Sequence, residues 1–258
     1  MEEFHPQAFT SASKVTPVRD NSKLLSLGKI FLWLALGLLV TGVISLTMPD
    51  ILIAAYGALT QEAMNTYVIL LIVSVVVCII SEIALNISAF GKSGVVTGIF
   101  YVIYALAMGV LLSTVMITVF AYTAETTGSN SDFIKTLAVA FFVTAGCFGV
   151  MGLVGALTKN MNAAIPLVIT LGIGILVISL VNFFLQSTLI YWIVDFVVFG
   201  LILLVTAIDM HNIIAIANRK EFANSTTLSI YCAYVLYVDL INIFIRVVWY
   251  LMLINNRK

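Results

Sequence analysis

Apolar residues run through this chain in seven long blocks, roughly 28–48, 67–90, 95–121, 133–157, 163–185, 190–215 and 227–254. Each is close to the ~20 residues a helix needs to cross a hydrocarbon core. The blocks are apolar almost all round and show little periodicity, as expected of helices that face lipid. Short polar interruptions separate them: Pro49-Asp50, Gly91-Lys92-Ser93-Gly94, Glu125 to Asp132, Lys159-Asn160, Gln186-Ser187 and Arg219-Lys220-Glu221. The polar stretch 1–27 carries Pro6 and Pro17 and reads as a tail ahead of a transmembrane domain over 28–258. The first block reads as a retained helix rather than a cleaved signal. The expectation is an all-α integral membrane protein with seven transmembrane helices.

Charge then orients the helices. Lys14, Arg19, Lys23 and Lys29 lie in or beside the tail, and Lys92, Lys159, Arg219 and Lys220 in the second, fourth and sixth connections. The other connections hold Asp50, Glu62, Glu125 and Asp132, with Lys135 the one base nearby. This alternation is a positive-inside pattern with a cytoplasmic amino terminus. Seven crossings put Arg257 and Lys258 outside, against the rule, and a full crossing of the last block is still expected. The short tail without an organelle signal points to a bacterial cytoplasmic membrane.

Composition agrees: 62% of the 258 residues are hydrophobic and 9% charged, against about 25% charged in an ordinary soluble domain. The 12 basic and 12 acidic residues cancel, so nothing suggests a nucleic-acid partner. Cys78, Cys147 and Cys232 all fall inside apolar blocks and read as small buried hydrophobes. Gly146, Gly149, Gly152 and Gly155, and likewise Gly172 and Gly174, read as sites of close helix approach. Tyr191, Trp192, Trp249 and Tyr250 fit interfacial belts.

Ionisable groups inside the blocks are the candidate chemistry, because each is costly there. They are Glu82, Asp195, Asp209, Asp239 and Arg246. At about 1.5 Å per residue, Asp209 lies about 9 Å and Asp239 about 18 Å from the cytoplasmic end of their helices, within the error of tilt and boundaries. Glu82 lies in the same half. Two carboxylates within hydrogen-bonding reach cannot both ionise cheaply, so Asp209 and Asp239 are expected to share one proton and titrate as a unit. Losing that proton replaces a hydrogen bond with repulsion across two helices, which is a gate. The ionised pair is a hard-oxygen site suited to Ca²⁺. A buried polar pair that only fixes helix register is the plainer alternative. Asn242 and Arg246 follow Asp239 by three and seven residues on one face. Arg246 either neutralises a neighbouring acid or reaches towards the outer side. Asp195 and Asp209 project within about 40° of each other, about 21 Å apart along the axis. Asp195 is either an outer acid of a cation path or simply solvated.

Three segments carry a resemblance. YVDLINIF at 237–244 is similar to the last-helix signature of the Bax inhibitor family, usually Leu-Tyr-Leu-Asp-Phe-Ile-Asn-Leu-Phe; VTAIDMHNI at 205–213 resembles its sixth-helix segment, and SEIALNISAF at 81–90 its second-helix glutamate segment. The resemblance covers the chain from about residue 25. It implies seven helices with the last at the centre, and a pH-sensitive Ca²⁺ leak sensed by an aspartate pair. Those roles fall on Asp209 and Asp239, with Glu82 on the ion path. Calcium is then the transported ion, and no cofactor is expected. The resemblance also implies membrane-protein partners, through links to cell-death control and membrane-protein quality control. A non-conducting scaffold or regulator is therefore the competing reading. Two departures stand out: the family's second-helix arginine latch is replaced by GKSG at 91–94, leaving Lys92 as the available base, and Ile208 stands where a tyrosine is usual. A lysine does not reproduce arginine's two-pronged contact.

No enzyme is expected. Asp209 follows Ala207-Ile208 and Asp239 follows Tyr237-Val238, so the Gly-x-Gly-Asp and Tyr-Asp pair of intramembrane aspartyl proteases is missing. The histidines are His5 and His211, too few for a zinc centre and poorly placed for a general base. No inverted repeat suggests a coupled transporter.

Overall fold

The computed structural model describes residues 20–56, 61–89, 93–127, 130–218 and 225–255. Backbone groups in lipid must be satisfied within their own segment, which leaves helices as the natural solution for such blocks. The helices are α1 (Asp20–Tyr56), α2 (Gln61–Ser88), α3 (Gly94–Thr127), α4 (Asn130–Leu157), α5 (Ile165–Leu185), α6 (Thr188–Ala217) and α7 (Thr226–Asn255), with a 3₁₀ turn over Met161–Ala164 before α5. Among the described residues there is no strand. All seven are long and apolar enough to cross a membrane, α7 included. Hydroxyls within the spans bond back to their own helix, as Thr118 does to the Thr114 carbonyl at 2.8 Å and Thr170 to that of Pro166 at 2.8 Å.

Both ends of α1, the start of α2 and the end of α3 differ from the sequence pattern: α2 already begins at Gln61, and α3 runs on through Glu125 to Thr127. Pro49-Asp50 is not a connection: α1 runs through Pro49 to Tyr56. Proline removes only one backbone donor and near a helix end this is tolerated. At the other end α1 already begins at Asp20, inside the stretch expected to be tail.

Contacts fix how the helices run. The start of α3 meets the start of α7, where a Cβ on Gly94 would lie 3.2 Å from Thr226. The end of α2 meets α7 through Tyr231 and Asn86, and the end of α4 meets the end of α6 through Gly155 and His211. These termini gather at the end of the bundle where α1 begins, called here the near end.

α7 is the axis. In its most apolar stretch 61% of the residues are buried, against at most 39% in any other helix. It packs on α1, α3, α4 and α6 and touches α2. Ile230, Leu236, Tyr237 and Ile243 are each 0% exposed. α5 stands outside this ring, packed on α6, and buries none of its residues. Gly172 and Gly174 accordingly have open space where a Cβ would go, so they do not mark a helix contact.

A hydroxyl cluster locks α1 and α3 to the axis. Thr41 donates to the Ala105 carbonyl at 3.0 Å, so the Tyr237 hydroxyl, 2.5 Å away, donates to Thr41. Tyr101 donates to the Trp33 carbonyl at 2.9 Å and meets the Tyr237 ring edge-on. Gly37 makes room for this, since a Cβ there would fall on the Tyr101 hydroxyl. Thr41→Val keeps the shape but leaves the buried Tyr237 hydroxyl unpaired, a loss of about 1–3 kcal/mol. Thermal unfolding in detergent should show a lowered midpoint for Thr41→Val and little change for Thr41→Ser. Equal midpoints for valine and wild type would remove the cluster's structural role.

Candidate functional site

The α6–α7 contact brings together the polar groups of the two most informative segments. Asp239 sits midway along the buried axis, 6% exposed. Its Oδ2 has no hydrogen-bond partner. Thr206 of α6, fully buried, is within hydrogen-bonding reach of this carboxylate and also donates to the Ile202 carbonyl at 2.9 Å. Asp209, one turn further along α6 and half-buried, is close enough for its charge to act on Asp239. Among the described residues neither acid is paired with a cation; the ion pairs there are Lys135–Asp132 and Arg246–Asp195. Two carboxylates therefore lie within electrostatic reach on packed helices, and Asp239 Oδ2 accepts a hydrogen bond from neither Asp209 nor any other group.

Glu82 faces the same end from α2. It is exposed, and its charge reaches Tyr104, Tyr231 and Tyr234. Asn86, one turn on, donates to the Glu82 carbonyl at 2.9 Å and accepts from the Tyr231 hydroxyl at 3.0 Å. Asp209 also lies within electrostatic reach of Tyr231. The residue pattern did not single out Tyr231, Tyr234 or Thr206. The three-residue spacing of Tyr231 and Tyr234 ahead of Asp239 was the available signal, since it puts them on one face of α7.

At the far end Asp195 is not solvated. It is 5% exposed and forms an ion pair with Arg246, while the Tyr250 hydroxyl donates to its Oδ2 at 2.7 Å. Arg246 therefore neutralises an acid. Tyr250 is turned inward on Asp195, whereas Tyr191, Trp192 and Trp249 are exposed. Arg246 and Tyr250 are one helical turn apart, so both can hold one carboxylate on α6. Asn242, half-buried, lies between Asp239 and Arg246 on α7. Lys92 lies outside the described residues. His211 uses Nδ1 on the Gly155 carbonyl at 3.1 Å, a helix-to-helix contact.

No group of three or more His, Cys, Asp or Glu side chains stands ready to hold a metal among the described residues. Asp209 and Asp239 carry the hard carboxylate oxygens that Ca²⁺ takes, with water needed to complete the shell.

A family model described as "Inhibitor of apoptosis-promoting Bax1" matches residues 24–257. The chain is 29% identical over 238 residues to the inner membrane protein YbhL of Escherichia coli (strain K12), covering 90% of this chain and 92% of that one. It is 28% identical over 236 residues to the uncharacterized protein RP147 of Rickettsia prowazekii, covering 89% of each. No solved structure matches.

Proposed function

Since this chain belongs to the Bax inhibitor family, we propose that it is a pH-sensitive Ca²⁺ leak in a bacterial cytoplasmic membrane, gated by the Asp209–Asp239 pair. The near end faces the cytoplasm in this reading, as the basic residues of the tail and alternate connections favour. The observation that carries the proposal is the Asp239 carboxylate. It is buried in the central helix with one oxygen unpartnered and another acid as its charged neighbour. A lone ionised carboxylate at that depth costs roughly 2.5–3.5 kcal/mol on insertion scales. Sharing a proton with Asp209 relieves it, and so does a passing divalent cation. When the proton leaves, repulsion between the two acids pushes α6 from α7, and the same charges attract Ca²⁺. Glu82, one turn before the Asn86 that holds Tyr231 at the near end, supplies a first carboxylate for ions arriving from that side. Because Asp209 and Asp239 are only two acids, binding stays weak enough for the ion to leave, as conduction requires.

The test is Ca²⁺ flux into liposomes holding the purified protein and no other. The leak reading expects entry above that of empty liposomes, changing with pH. Flux at the empty-liposome level at every pH would sink it and leave a scaffold that acts only through other membrane proteins.

A further inference from the structure

At the far end, a cavity of about 400 Å³ opens beside the α6–α7 ion pair. Thr114, Thr118, Tyr191, Asp195, Arg246 and Trp249 are among the residues that line it. Its chemistry is uneven. The oxygens suit a hydrated divalent cation: the Asp195 carboxylate, the hydroxyls of Thr114 and Thr118, and the Tyr250 hydroxyl bonded to Asp195. Yet a guanidinium already occupies the carboxylate. The Arg246 side chain is 30% exposed and covers Asp195, whose side chain is 5% exposed. Arg246 also lies two turns, about 10 Å, beyond Asp239 on the same face of α7. A positive group fixed there fills the place a cation would take on the Asp195 carboxylate.

We propose that Asp195 is a second, outer divalent-cation site, held closed by Arg246 as a tethered cation. Tyr250 is a positioning residue, fixing the carboxylate that both cations compete for. The proposal rests on the leak reading for its role in conduction, though cation binding at Asp195 can be read without any flux.

Terbium is the probe, because it takes Ca²⁺-type oxygen sites and is made luminescent by neighbouring aromatics, here Trp249 and Tyr250. In detergent, Arg246→Gln should raise Ca²⁺-displaceable terbium luminescence several-fold over wild type, and Asp195→Asn in that background should remove the gain. In liposomes Arg246→Gln should raise Ca²⁺ flux several-fold at every pH while the shape of the pH profile stays. If Arg246→Gln does not fold, Arg246→Lys carries the same test with a smaller gain, because a lysine holds the carboxylate less firmly. Luminescence equal to wild type, or a gain that survives Asp195→Asn, overturns the site. Unchanged flux in an Arg246 variant of a conducting protein overturns the closure. Absence of flux in wild type and all variants, with the luminescence gain present, rejects the leak reading and leaves the cation site standing.

Discussion

Asparagine at position 239 is expected to abolish the pH dependence of Ca²⁺ flux and hold it at the wild-type low-pH level. The argument rests on charge counting. A pair that shares one proton carries one negative charge, and so does the Asp239→Asn variant, in which a neutral amide faces an ionised Asp209. The asparagine amide can also donate to the Asp209 carboxylate, as the shared proton does. The doubly charged state is then out of reach at any pH. A one-proton gate changes its population by up to about tenfold per pH unit on its flank, so flattening that slope is a large effect. Asp209→Asn should behave the same way, because either acid can be the neutral member. Liposome flux over a pH series reads both variants. A profile for Asp239→Asn that overlays wild type would show that the axis carboxylate senses nothing.

Valine at position 155 is expected to cost about 3 kcal/mol or more and to lose most of the folded protein, the upper end of what overpacking does. α4 and α6 cross where a Cβ on Gly155 would fall on the Ala207 carbonyl oxygen and lie 3.2 Å from the His211 backbone nitrogen. Both neighbours are backbone, so no rotamer change relieves the contact and the helices must separate. Separation also breaks the His211–Gly155 bond and shifts α6, which carries Asp209. Gly149→Ala is the control, since nothing lies within 4 Å of its added Cβ. Gly152→Ala falls between, because its neighbour at 3.2 Å is the flexible end of Met210. Yield of monodisperse protein and its unfolding midpoint in detergent decide the order. Wild-type behaviour from Gly155→Val would mean the crossing is looser than described.

The glycine rows show how far composition reaches. Gly146, Gly149, Gly152 and Gly155 form one small-residue stripe, yet only the end at Gly152 and Gly155 meets α6. The stripe states that a close approach is available. Where the crossing falls depends on how α4 is tilted against α6, which residues distant in the chain decide. The same holds for Pro49, where local preference favours a break and the apolar run beyond it continues the helix.

The chain's own pattern determined the class and the number of spans, because lipid rewards apolar length and penalises charge wherever it falls. Helix period also placed Asn242 and Arg246 on the Asp239 face, a purely local property. The family resemblance already implied a central last helix; only the tertiary structure decided that α5 is an outer helix, that Asp195 is paired with Arg246 rather than solvated, and that Thr206 and Tyr231 join the acids. Those outcomes depend on which faces of different helices meet, and blocks that are apolar all round carry no mark of the face that will turn inward.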